Sequence, residues 1–325
     1  MKKNKQMWAF LLQLGHNIWA KPGDVTPYQL EDEEIYHDYV YSDRDTWRKV
    51  TEYLPKCGFN TVVIDIGEAL KLDSHPELAV EGSWTKEEFK AELQRLRNLG
   101  LTPIPKYNFS TSHNAWMQEY GDMVGTELYK KVCDDIVKEV IEIFDKPEFF
   151  HLGLNDENPA YQKYFPIKIV RSWGEKMEDA VRLFNVCLEQ GVRPWIWADV
   201  ETVNEFGGPE RFRKYIPKEV LVSNRTKKLV IRMDGSPDAP QTKQYLELAD
   251  WGYEQVATCY RWEWFLNEKM TMRYCRDYVK EDSIIGYMTA PWLPVRPEYY
   301  EGILYVADTF RYARQTIFPE GEADE

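Results

Sequence analysis

Asn155, Asp156 and Glu157 stand in a row at the end of the stretch Phe149-Phe-His-Leu-Gly-Leu-Asn-Asp-Glu157. The stretch begins apolar, as a strand buried in a parallel sheet does, and ends in an amide and two carboxylates. A buried carboxylate is costly unless it is paired, protonated or solvated, so three such groups at a strand exit point to a wet, concave site where titratable groups can act. The plainer reading is that Asn155 and Asp156 cap the helix that follows.

The elements that must hold this cluster are marked by glycines. Gly58, Gly100, Gly191 and Gly252 each close a helical run and precede an apolar residue and a short β-rich run, which is the helix-to-strand joint of a βα repeat. Capping-box spacing at Ser42 to Asp45 and Thr85 to Glu88 marks two helix starts. The pattern predicts helices over 43–56, 85–99, 126–144, 170–190, 208–216, 240–251, 268–280 and 298–316. Strands are predicted over 8–14, 61–66, 102–107, 149–154, 193–198, 220–223, 255–260 and 283–289. Strict alternation of this kind calls for a parallel sheet, and eight units call for an α/β fold closed into a (β/α)8 TIM barrel. An open doubly wound sheet would normally show a glycine-rich phosphate loop after its first strand, and no Gly-x-Gly-x-x-Gly sequence occurs. No composition break divides the chain, so residues 1–318 read as one domain and the acidic 319–325 as a disordered tail.

Barrel enzymes hold their sites at the C-terminal ends of the strands. Here those exits present His16, Asn17 and Trp19, then Asp65 and Glu68, then Tyr107, Asn108, His113 and Trp116. After the cluster at 155–157 come Trp197 and Asp199, Ser223 and Asn224, Tyr260, Arg261, Trp262 and Trp264, and Trp292. Indole faces stack on pyranose rings while carboxylates and amides bind hydroxyls, so this mixture suits a carbohydrate. Any one of these tryptophans could equally be core. Trp195 alternates with Trp197 and shares its face, placing at least one inside the barrel.

Composition narrows the class. The chain is 43% hydrophobic and 14% aromatic with 12 Trp, and its net charge is -13 without a Lys/Arg run, which argues against a nucleic-acid partner. The five cysteines are scattered with no Cys-x-x-Cys pair, so they read as buried or reduced thiols and not as a zinc site. No apolar run approaches the roughly 20 residues of a membrane span. Gln13, Gly15, His16 and Asn17 interrupt the apolar N-terminal run, which reads as a first strand and favours the cytoplasm over export. No cofactor or metal is called for.

His151-Leu-Gly153-Leu-Asn-Asp156-Glu157 resembles the His-x-Gly-Gly-Asp-Glu signature of family 20 glycoside hydrolases, the β-N-acetylhexosaminidases. Pro103-Ile-Pro105 through His113 and Trp116 is similar to that family's third-strand segment, Arg193-Pro-Trp-Ile-Trp197-Ala-Asp199 to its fifth strand, and Trp292 to its last-strand sugar-stacking Trp. The resemblance covers roughly 61–318 in order. It implies substrate-assisted chemistry, in which Asp156 polarises the sugar's 2-acetamido group and Glu157 protonates the leaving oxygen. Asn155, Asn108, His113, Asp199 and Tyr260 would position the sugar, and Trp197, Trp262 and Trp292 would stack on it. The motif is one residue longer here, so a register anchored on His151 and Gly153 matches Asn155 to the polariser and Asp156 to the acid instead. No Arg occurs between Trp8 and Trp19, and Leu293 stands where the family has a Glu after the last-strand Trp.

Three readings follow. The first is a glycoside hydrolase acting on a β-linked, 2-acetamido sugar. The second is a catalytically silent carbohydrate-binding barrel. The third is a metal-dependent sugar isomerase or epimerase using Glu157, Asp199 and a histidine.

Overall fold

Branched and aromatic residues make short runs of high β-propensity between amphipathic helices, and in the computed structural model these runs pair in parallel around a closed barrel. The structure describes residues 6–21, 35–162, 165, 167–226, 240–259 and 267–319. The strands are β1 (Met7–Gln13), β2 (Thr61–Asp65), β3 (Thr102–Lys106), β4 (Phe149–His151), β5 (Arg193–Trp197), β6 (Leu221–Ser223, resuming at Arg225–Thr226), β7 (Gln255–Cys259) and β8 (Ile284–Thr289). Each pairs with its successor; Val222 meets Gln255 across the β6–β7 seam, and Met7 meets Gly286 to close the circle.

The helices are α1 (Arg44–Tyr53), α2 (Lys86–Asn98), α3 (Glu127–Ile143), α4 (Trp173–Glu189), α5 (Val200–Glu205), α6 (Pro209–Tyr215), α7 (Pro240–Asp250), α8 (Asn267–Tyr278) and α9 (Tyr300–Ile317). All four predicted cap glycines are left-handed, with φ of 85° at Gly58, 84° at Gly100, 75° at Gly191 and 83° at Gly252. Thr85 and Glu88 form the predicted capping box. Ser42 does not: Asp43 caps α1, accepting from the Thr46 amide at 2.7 Å, while the Ser42 hydroxyl donates to the Leu14 carbonyl at 2.8 Å and ties the helix start to the β1 exit. A second capping box at Ser172 and Glu175 starts α4 three residues later than the pattern suggests.

Two cores flank the barrel wall. Outward residues such as Phe10, Val62 and Phe150 pack under the helices, and inward ones, among them Leu11, Val63, Ile104, Phe149 and Trp195, fill the lumen. Above that apolar plug the register lines up Gln13 with Asp65, Asp65 with Lys106, and Lys106 with His151. These side chains share the inward parity of the plug, so a polar layer roofs it. Lys106 and Asp65 satisfy each other there as a buried ion pair. Both Trp195 and Trp197 point inward, and the Trp195 indole donates to Ser223 Oγ at 2.8 Å.

Trp195→Ala empties the centre of this plug and should cost about 3–5 kcal/mol. Denaturant unfolding checks it: the midpoint should fall with little change in slope, and a midpoint within error of the parent would mean that the lumen collapses to fill the space.

Candidate active site

Strand β4 stops at His151, short of the predicted Leu154, because the next residues turn the backbone left-handed: φ is 70° at Gly153, 63° at Leu154 and 60° at Asp156. Non-glycine residues in that region cost about 1–3 kcal/mol each unless their surroundings hold them. Here Asn108 does so. Its Oδ1 accepts from the Leu154 and Ser110 amides at 3.2 and 3.1 Å, and its Nδ2 donates to Asn155 Oδ1 at 3.1 Å. Ser110 Oγ donates to the Asn155 carbonyl at 2.5 Å. A Cβ at Gly153 would sit 2.2 Å from Asn108 Oδ1, so only glycine allows this approach. Asn155 in turn donates to Asp156 Oδ2.

Asp156 is brought to Arg225 of β6. Nη1 and Nη2 donate to its two oxygens at 2.8 and 2.9 Å, while Nε donates to Asp199 Oδ2 at 2.5 Å. Asp199 also caps α5, accepting from the Thr202 amide and hydroxyl at 3.1 and 2.8 Å. The guanidinium lies 5.2 Å from the centre of the Trp197 ring, and that indole lies 6.2 Å from Trp292. Trp197 is buried and Trp292 half-buried with φ of 52°; of the two, Trp292 offers the more open face. Burial alone would raise the pKa of Asp156. The Arg225 charge and hydrogen bonds, helped by His113 and Asn155, overcome it and hold the carboxyl well below the usual carboxylate range.

Glu157 turns elsewhere. Arg171 grips both its oxygens, Nε to Oε2 at 3.0 Å and Nη2 to Oε1, and Arg171 Nη1 donates to Asp179 of α4 at 2.7 Å. Burial would raise its pKa, but the charges of Arg171 and Lys176 bring it below the ordinary glutamate value. This is an ionised strut in a buried ion chain, an unsuitable state for the proton donor that the sequence resemblance implies.

His113 packs edge-on to Trp19 at 4.5 Å, and burial lowers its pKa to about 4. His151 accepts from the Gly153 amide through Nδ1 at 3.1 Å, which assigns the ring proton to Nε2. Both imidazoles are neutral near pH 7. Glu68, beneath the β1 exit, accepts from the His16 and Asn17 amides at 2.6 and 3.2 Å, and burial raises its pKa to about 7.

The structure therefore gathers Asn108, His113, Asn155, Asp156, Trp197, Asp199 and Trp292 at one mouth and sends the Glu157 carboxylate away from Asp156 toward α4. Tyr260 and Trp262 lie outside the described residues, as do residues 320–325 of the expected tail. Sequence reading passed over Arg225, Arg171 and Lys106. Arg225 was signalled by parity, since Leu221, Ser223 and Arg225 alternate along one face; Arg171 has no local signal. Glu157 and Asp199, the ligands of the metal-isomerase reading, are each taken by an arginine. Among the described residues no three His, Cys, Asp or Glu side chains converge as a metal site, and no helix is long and apolar enough to cross a membrane.

No family model and no curated protein matches the sequence. Solved structures do match the fold. A β-N-acetylhexosaminidase from Bacteroides fragilis NCTC 9343 superposes with a TM-score of 0.64 at 11% identity over 94% of this chain and 65% of the other. The GH20 β-N-acetylhexosaminidase from Streptomyces coelicolor A3(2) gives 0.61 at 12% over 94% and 64%. One of the tandem GH20 modules of the pneumococcal exo-β-D-N-acetylglucosaminidase StrH gives 0.60 at 15% over 97% and 86%. The chain thus spans slightly less than two thirds of the first two proteins. At these identities the likeness is one of fold, and it agrees with the barrel and the family resemblance read from the ordered motifs.

Two expectations concern the site's charges. Removing Glu157 alone should cost about 3–5 kcal/mol, and replacing both Glu157 and Arg171 by apolar residues should recover only part of it, because Arg171 also holds Asp179; a double-mutant cycle in urea measures this, and additive losses would show the pair uncoupled. Unfolded His113 binds a proton below its ordinary 6.5 while the folded ring waits until about 4. Its contribution to stability must therefore fall as pH drops through that window. His113→Asn should flatten part of the stability–pH curve between those values, and an unchanged slope would contradict the assignment.

Proposed function

We propose that the protein is a glycoside hydrolase of the β-N-acetylhexosaminidase type, acting on a β-linked 2-acetamido sugar seated at the barrel mouth. The observation that supports it most is Asp156 itself, an ionised carboxylate at the exit of β4 fixed by an arginine that lies over Trp197 of an indole pair. A group that must accept a hydrogen bond from an acetamido N–H throughout a reaction has to stay charged, and Arg225 keeps it so. With Asp156 holding the N–H, the acetamido oxygen attacks the anomeric carbon. The glycosidic C–O bond breaks with its electron pair going to the aglycone oxygen, and water later opens the cyclic intermediate at the same carbon. Asn155 donates to the Asp156 carboxylate and is itself held by Asn108, and Trp292, with Trp197 behind it, gives the sugar an apolar wall.

Protonation of the leaving oxygen is the weak step. Glu157, ionised on Arg171, has no proton to give in this arrangement, so turnover favours aglycones that leave as stable anions. A second reading, a sugar-binding barrel without turnover, is favoured by the same fact: both adjacent carboxylates are paired.

The test uses aryl and alkyl β-glycosides, each with a 2-acetamido or a 2-hydroxyl group. Turnover confined to acetamido sugars and falling steeply with leaving-group pKa is expected, and Asp156→Asn should lower kcat by on the order of 10²–10³. Hydrolysis of the hydroxyl sugar at a comparable rate would overturn the substrate-assisted reading. Binding without hydrolysis of any of the four would establish the second.

A further inference from the structure

Arg225 is the most heavily engaged side chain at the mouth. Its guanidinium edge spans both oxygens of Asp156, its Nε holds Asp199, and its face lies against Trp197. It joins two chains of fixed groups. On one side Asp199 is locked by the Thr202 amide and hydroxyl at the start of α5; on the other Asp156 is held through Asn155 to Asn108. The exits of β3, β4, β5 and β6 are thereby fastened through one residue.

We infer that Arg225 is a positioning residue that turns Asp156 into a permanent, fixed acceptor, so that the site selects sugars presenting an N–H or O–H at that point and rejects those presenting an anion. The inference rests on the sugar-site reading of the mouth and deepens it. A carboxylate has about four lone-pair positions. Oδ2 accepts from Nη1 and Asn155, whereas Oδ1 accepts only Nη2 among the bonds described. One acceptor position therefore remains on Oδ1 for a substrate donor. Among the described residues the other groups acting on Asp156 do not offer an anion a home: His113 is neutral near pH 7, Tyr161 on the following loop is uncharged there, and Lys106 is spent on Asp65. Two carboxylates, Asp156 and Asp199, share the single guanidinium, which leaves the unit net negative. A 2-sulfoamino or carboxylate substituent at Oδ1 would meet like charge.

Three proteins test this: the parent, Arg225→Met and Arg225→Lys. The Asp156 carboxyl is followed by ¹³C NMR in aspartate-labelled protein, assigned by difference from Asp156→Asn, and binding of a 2-acetamido sugar and its 2-sulfoamino counterpart is measured by calorimetry. In the parent the Asp156 signal should not titrate down to pH 3, and the acetamido sugar should bind at least tenfold tighter than the sulfoamino one. Arg225→Met should bring the titration up into or above the ordinary carboxylate range and lower kcat more than it raises KM, with added guanidinium restoring part of the loss. Arg225→Lys should keep the low titration but not the full kcat, because an ammonium cannot span both oxygens. Circular dichroism controls for folding. An unmoved Asp156 titration in folded Arg225→Met, or equal binding of the two sugars by the parent, overturns the inference. Because titration and binding need no turnover, a protein that hydrolyses nothing would defeat the proposed reaction while leaving the role of Arg225 to be decided by these readouts.

Discussion

Charge buried at the top of a barrel must be neutralised where it lies, and most of the mouth follows from that requirement. Asp65 is met by Lys106, Asp156 and Asp199 by Arg225, and Glu157 and Asp179 by Arg171. Leaving any one of these acids unpaired would cost more than the pair itself contributes, because an isolated buried charge has lost its water without gaining a partner. The cations are thus structural necessities before they are functional groups. Arginine is used where two acceptors must be spanned, since its planar fork can hold both at once; lysine serves where one carboxylate stands alone in the lumen.

The same economy governs the backbone. Three left-handed residues within four positions, Gly153, Leu154 and Asp156, are a sharp departure from strand geometry, and without an external template the chain would relax. Asn108 supplies that template from the neighbouring strand's exit by reading the Leu154 amide and the Asn155 side chain. The result points the side chains of Asp156 and Glu157 into different surroundings although they are adjacent in sequence. One faces β6 and the tryptophan pair; the other faces α4.

The barrel was legible in the sequence because its signals are local. At four helix-to-strand joints the turn is made by a left-handed glycine, Gly58, Gly100, Gly191 and Gly252, and inward and outward faces alternate within a strand and can be read from five residues. The pairing at the site was not legible, because Arg225 is 69 positions from Asp156 and Arg171 is 14 from Glu157. No periodicity links such residues, and only closure of the barrel sets β6 near β4. The cap residue of α1 was not legible for a subtler reason: Ser42 and Asp43 are both good cap residues, and the choice was made by a contact outside the helix, the Leu14 carbonyl that takes the Ser42 hydroxyl.

These pairings also define what the mouth can do. A general acid needs a carboxyl whose proton is retained near the working pH, which burial away from cations supplies. An orienting carboxylate needs the reverse, a cation close by and a low pKa. Burial pushes both Asp156 and Glu157 toward the first condition, and an arginine on each pulls it to the second. Glu68 alone among the acids described at the strand exits is held by backbone amides without a cation, and it is also the one whose pKa rises to about 7. The contrast separates the effects of burial and pairing within one protein: with amides alone burial wins at Glu68, against the single ammonium of Lys106 it still wins at Asp65, and against a bidentate guanidinium it loses. The arginines that let two neighbouring carboxylates be buried at the exit of β4 therefore also commit both to the ionised state, and that commitment suits acceptance of hydrogen bonds better than delivery of a proton.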